Sequence, residues 1–171
     1  MIYFTADPHY CHANIIKMCD RPFAGLEEMH AALMANWNAV VGKQDEVYIL
    51  GDLVYKGKAS QANEILKKLR GRKFLIKGNH EKYLNDADFD MSAYEWVKDY
   101  HVLNYEDARF VLFHYPILEW EHYHRKSAHL FGHIHSKLFR HPKERAFNVG
   151  VDNNDFAPVS AEAIYARAFT K

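Results

Sequence analysis

The chain is poor in several features that would each have fixed its class. Cysteine is almost missing: Cys11 and Cys19 are the only two among 171 residues. Two are too few for a disulfide framework, and they lack the C-x-x-C spacing of a zinc or redox motif. Both are expected to be reduced and partly buried near one helix. An excess of one charge is missing as well, since 22 Lys and Arg balance 22 Asp and Glu. That argues against a nucleic-acid binder relying on a basic face, whose affinity would come from neutralising phosphates. A nuclease with a small local patch stays open. No apolar run approaches the ~20 residues needed to cross a membrane. A cleavable leader is not expected, because a motif begins at Asp7 and removal of a leader would take it away. Repeats, low-complexity tracts and linkers are absent. One domain over 1–171 in the cytoplasm is the expectation, with the oligomeric state left open.

What the chain does have is histidine, twelve of them, in an otherwise ordinary globular composition of 49% hydrophobic and 26% charged residues. Five short apolar runs lead into residues that can hold a metal. Ile2 to Ala6 runs into Asp7-Pro8-His9, and Val47 to Leu50 into Gly51-Asp52. Phe74 to Ile76 leads to Gly78-Asn79-His80, Phe110 to Phe113 to His114, and Ala128 to Phe131 to Gly132-His133-Ile134-His135. Short apolar runs bounded by Gly or polar residues read as buried strands. In α/β sheets ligands bind beyond the carboxyl ends of the strands, so these residues are expected to form one polar cluster.

Between the strands, Leu26, Met29, Leu33, Met34, Trp37, Val40 and Val41 recur at helical spacing, with Gly42 as the stop. A shorter helix is expected over 12–19. Another has Ser60 as its cap and Gly71 as its end, so that 46–77 makes a β-α-β unit. From about residue 95 the pattern changes. Trp96-Val97, Tyr100 to Leu103, 109–113, 128–131, 137–139 and 146–151 read as strands of an antiparallel or mixed second sheet. The stretch 160–168 fits either a helix or an alternating strand. The fold class is therefore α/β, with two packed sheets flanked by helices.

Asp7 and His9, two residues apart, place an oxygen and an imidazole on one side of the backbone, and His133 and His135 do the same with two nitrogens. Mixed carboxylate and imidazole ligands suit Mn, Fe, Co, Ni or Zn better than Mg or Ca, and manganese is favoured here. Seven candidate ligands exceed what one tetrahedral zinc needs. Asp52, alone on its strand, is suited to bridging two ions about 3.5–4 Å apart, the clamp used for in-line displacement at phosphorus.

Taken in order, Asp7-x-His9, Gly51-Asp52, Gly78-Asn79-His80, His114 and Gly132-His133-x-His135 resemble the calcineurin-like metallophosphoesterase superfamily. The resemblance spans residues 7–135. It implies an αββα sandwich, with one ion held by Asp7, His9, Asp52 and His135 and the other by Asp52, Asn79, His114 and His133. It also implies that a hydroxide shared by the ions attacks phosphorus. His80 would not be a ligand; it would stand beside the phosphate and assist the leaving oxygen.

Relatives of the phosphoprotein-phosphatase branch follow their Gly-Asp block with Asp-Arg-Gly, whereas this chain has Tyr55-Lys56-Gly57. Lys56 keeps the charge and loses the bidentate fork. Lys77 likewise stands where that branch has Arg. A small, broadly specific phosphoesterase is the expectation, with phosphodiesters first and phosphomonoesters second. Arg21 and His12, with Asn79 and His80, are the candidate substrate contacts, Arg21 as a phosphate clamp. Tyr115 is a candidate border of the pocket. A second His-x-His, His122-Tyr123-His124, sits in a charged segment and is expected in a solvated loop or at the rim. The rival readings are a metal-dependent nuclease on DNA or RNA and a non-catalytic scaffold.

Overall fold

Strand alternation decides what each sheet buries. A computed structural model describes residues 1–142 and 144–170. The elements run β1 (Ile2–Thr5), α1 (Ala13–Met18), α2 (Leu26–Val40), β2 (Glu46–Leu50), α3 (Ala59–Lys68), β3 (Arg72–Ile76), β4 (Trp96–Lys98), β5 (Tyr100–Tyr105), β6 (Ala108–Phe113), β7 (Ser127–Phe131), β8 (Ala146–Asn148), β9 (Val159–Ser160) and α4 (Ala161–Phe169). One sheet has the order β4-β3-β2-β1-β9, parallel except for β9. The other has the order β5-β6-β7-β8, parallel except for β5.

Side chains two apart share a face. Phe4, Tyr48, Leu50, Phe74 and Ile76 of the first sheet therefore meet Phe110, Leu112, Ala128 and Leu130 of the second in one core. Their neighbours Tyr3, Val47, Ile49 and Leu75 point the other way, onto Met29, Leu33 and Trp37 of α2 and Ala62, Ile65 and Leu66 of α3. Trp37 also donates its indole N–H to the Arg70 carbonyl at 2.9 Å, tying α2 to the end of α3. The result is two mixed sheets flanked by helices, the αββα sandwich that the resemblance implies. Among the described residues no helix is long and apolar enough to cross a membrane.

Four local expectations change. Trp96–Lys98 joins the first sheet, parallel to β3, because Trp96 packs on Phe74 at 5.3 Å between ring centroids. Residues 137–139 form no strand; Leu138 is exposed, and β8 takes the edge beside β7. The strand expected over 146–151 stops at Asn148, and Val151–Asn153 is a 3-10 turn. The cap of α3 comes before Ser60, at Lys58, whose N–H is bound by the Gln61 side chain at 3.0 Å. The ambiguous 160–168 stretch is a helix over Ala161–Phe169, capped by the Ser160 hydroxyl, which accepts from the Ala163 N–H at 3.1 Å.

Candidate metal centre

β1, β2, β3, β6 and β7 all deliver their next residues to the same edge of the sandwich. The backbone there is held in an uncommon conformation. Asp7, His9, Asp52, His133 and His135 have φ of 56°, 52°, 56°, 69° and 53°, in the left-handed region that non-glycine residues rarely occupy. Such conformations cost about 1–3 kcal/mol each and persist where surrounding structure enforces them, typically at functional sites. Two glycines permit the close approach. A Cβ on Gly51, itself at φ +89°, would lie 2.4 Å from His114 Nδ1, and one on Gly78 would lie 2.3 Å from Asp52 Oδ1. This explains why Gly precedes Asp52 and Asn79 in the sequence.

Among the described residues the expected ligands fall into two groups, and Cys19 and Asp152 make a third with His135. Ligand atoms of Asp7, His9 and His135 lie within 4.8 Å of one another, and so do those of Asp52, His114 and His133. Asn79 joins the second, its Oδ1 being 3.2 Å from His114 Nε2. Asp52 stands between them. Its Oδ1 accepts the backbone N–H groups of Asn79 and His80 at 2.9 and 3.0 Å. Its Oδ2 is 3.5 Å from His9 Nε2 and 3.6 Å from His114 Nε2.

This arrangement fits divalent cations. Asp7 Oδ1 and His9 Nε2, 4.0 Å apart, are two of the three buried side-chain polar atoms with no hydrogen-bond partner among the described residues. Burial, then the charge of Asp52, pushes the Asp7 carboxyl well above its ordinary range. Burial, then the neighbouring His135, pushes His9 down to about 2. A neutral imidazole beside a carboxylate oxygen that no hydrogen-bond donor reaches is what a metal ion needs.

The histidines are oriented from behind. His114 Nδ1 donates to the Leu50 carbonyl at 2.7 Å, and His135 Nδ1 is 2.9 Å from Asp152 Oδ2. Fixing the outer nitrogen in this way turns the inner one toward the centre. Asp152 is in turn gripped by Arg21 through Nε and Nη2, at 2.7 and 3.0 Å. Arg21 also donates to the carbonyls of Asp7 and Pro8 at 2.8 and 2.9 Å. Its side chain is fully enclosed. The expectation of Arg21 as a phosphate clamp is thus corrected: its donors are spent holding the Asp7–His9 turn to the His135 support.

Two further supports escaped the sequence reading. Asp152 lies beyond the last motif block. Glu81 is buried, and its carboxylate accepts the Leu53 and Gly78 N–H groups at 3.1 and 2.8 Å, lacing the Asp52 loop to the Asn79 loop. Burial, followed by the Asp52 charge, raises Glu81 to about 7. The signal for Glu81 was its place directly after Asn79-His80.

His80 belongs to neither group. Its side chain is 32% exposed, with Nε2 3.9 Å from Asp52 Oδ2. The rings of Tyr55 and His9 bracket it at 4.7 and 5.5 Å. Tyr115 borders the second group, 4.6 Å from the His133 ring. His12 is beside His9. His122 contacts Arg109 near the start of β6, the opposite end of the strand from His114, so a rim position is ruled out for it. Cys11 and Cys19 are both unpaired and half-buried, flanking α1.

The profile of the calcineurin-like phosphoesterases matches residues 1–137. The chain belongs to that family. It is 37% identical to the uncharacterised protein MJ1445 of Methanocaldococcus jannaschii over 95% of this chain and 88% of that one. It is 30% identical to the Gene 66 protein of Mycobacterium phage D29, covering 92% of each. The crystal structure of a protein of unknown function, AQ665 from Aquifex aeolicus, superposes with a TM-score of 0.75 at 26% identity, over 96% of this chain and 97% of that one.

Proposed function

We propose that this chain, acting as one catalytic domain, is a dinuclear metal-dependent phosphoesterase that prefers phosphodiesters and also accepts phosphomonoesters. The observation that carries this reading is the place of Asp52 Oδ2, nearly equidistant from the inner nitrogens of His9 and His114 at 3.5 and 3.6 Å. Asp7, His9, Asp52 and His135 would hold one ion and Asp52, Asn79, His114 and His133 the other, with Mn favoured over Fe, Zn or Ni. Divalent cations at such positions neutralise phosphoryl oxygens and make a water nucleophile available as hydroxide near neutral pH.

The chain's own groups do the rest. Asp52 is kept in place by the two backbone N–H groups that its Oδ1 accepts, leaving Oδ2 for the centre. His80, partly open to solvent and bracketed by rings, is placed to give a proton to the departing alkoxide. Asn79 is exposed at the same rim, which leaves room for a second ester arm and favours diesters. A cytoplasmic setting completes the reading, in keeping with two unpaired cysteines.

The test is hydrolysis by metal-stripped protein to which Mn²⁺ is returned. Release of nitrophenol from bis(p-nitrophenyl) phosphate, faster than from p-nitrophenyl phosphate and dependent on Mn²⁺, is expected. No turnover of either ester, or of a wider phosphoester panel, would contradict the reading. Cleavage of DNA or RNA with steep loss of binding on adding salt would favour the nuclease instead.

A further inference from the structure

Among the imidazoles of the centre, His9 is supported differently. His114 leans on a backbone carbonyl and His135 on a carboxylate, but the outer nitrogen of His9 faces another imidazole, with His9 Nδ1 and His12 Nδ1 3.4 Å apart. The inner nitrogen of His9 is 3.5–4.0 Å from the carboxylate oxygens of Asp52 and Asp7, too far to donate a hydrogen bond to either. A lone pair at Nε2 therefore puts the proton of His9 on Nδ1. The acceptor in reach is Nδ1 of His12, which must then carry its own proton on Nε2.

His12 is itself held. Tyr55 lies face to face with it, with centroids 3.7 Å apart and planes 16° from parallel. The Tyr55 backbone is pinned, because its N–H donates to the Tyr10 carbonyl at 2.9 Å. The phenol ring also makes an edge contact with His80 and lies 5.1 Å, at its centroid, from the ammonium of Lys56. Rings so close and so nearly parallel have little freedom to rotate.

We propose that His12, clamped by Tyr55, is the positioning residue that fixes the orientation and tautomer of His9. The inference rests on the metal-centre reading above and reassigns His12 from substrate contact to support. His12 touches neither substrate nor ion; it acts through His9.

The test is Mn²⁺ titration, followed by calorimetry, of the metal-free protein and of His12→Phe, His12→Asn, Tyr55→Phe and Tyr55→Ala. Phe keeps the stack and loses the acceptor, while Asn places Oδ1 near the lost Nδ1 and loses the stack. His12→Phe is expected to weaken one of two ions about 10–100-fold, the usual cost of removing such a partner, and to leave the other unchanged. His12→Asn should restore most of the loss, Tyr55→Phe should match wild type, and Tyr55→Ala should weaken the same ion as His12→Phe. Long-range ¹⁵N spectra of metal-free wild type should show His9 protonated at Nδ1. Wild-type affinity for both ions in His12→Phe, equal losses in the Phe and Asn variants, or His9 protonated at Nε2 would overturn the assignment. Wild type binding two ions alongside an unaffected His12→Phe would overturn this proposal alone, whereas wild type binding no Mn²⁺ would overturn the metal reading with it.

Discussion

Replacing Arg21 with methionine should unfold the protein far more readily without touching substrate directly. The guanidinium and the Asp152 carboxylate are enclosed, with side-chain exposures of 0% and 3%. The substitution removes two charge-assisted hydrogen bonds to Asp152 and one to each of the Asp7 and Pro8 carbonyls. Breaking a buried pair by deleting one partner costs about 3–5 kcal/mol, most of it from the stranded charge. For a chain of this size that lowers Tm by roughly 6–20 °C. Burial raises the Asp152 carboxyl, and hydrogen bonds from His135 and Arg21 more than offset that and hold it below its usual range. Losing Arg21 therefore frees Asp152 to protonate and loosens His135. Thermal unfolding followed by circular dichroism in EDTA isolates this effect from metal binding. A phosphate clamp would behave in the opposite way, with an unchanged Tm and weaker inhibition by inorganic phosphate. That outcome would refute the structural role given to Arg21.

The other expectations are more direct. Asp52→Asn, which leaves the backbone contacts of the loop in place, should lower affinity for both ions at once; metal analysis finding two tightly held ions would remove its bridging role. His80→Ala should keep its metals and lose about 10²–10⁴-fold in kcat on a nitrophenyl diester, and unchanged turnover would exclude it from the reaction. His129, buried between the Val111 and Tyr115 carbonyls, is pushed by burial from 6.5 to about 4. The unfolded chain binds that proton first, so its contribution is complete above pH 6.5 and lost as pH falls through 4. That is about 2 kcal/mol between pH 7 and pH 5. Urea unfolding of metal-free protein should show wild type losing that much more than His129→Gln over this interval, and equal losses would contradict the assignment.

How much of this was legible in the sequence depended on the range of the physics involved. The five strand exits could be read because a short apolar run ending in Gly or a polar residue is a local signal, and glycine is required where Gly51 and Gly78 meet His114 and Asp52. The long helix α2 could be read from the spacing of Met29, Leu33 and Trp37, which are all buried. The sheet that takes Trp96 could not, since that is decided by contact with Phe74 in another strand. Arg21 was misread for the same reason. Its partner Asp152 is 131 residues away, and nothing in the sequence distinguishes a buried guanidinium from one that greets substrate. Glu81 was adjacent to a motif, but its role is visible only when the Leu53 and Gly78 loops are seen to converge on it.

In the proposed centre Asp52 joins two ion positions. Electron paramagnetic resonance of Mn²⁺-loaded protein tests it most directly, since ions sharing a bridging ligand lie about 3.5–4 Å apart. Two Mn²⁺ per chain with an exchange-coupled spectrum that Asp52→Asn abolishes are expected. The six-line signal of isolated Mn²⁺ at full loading would contradict it.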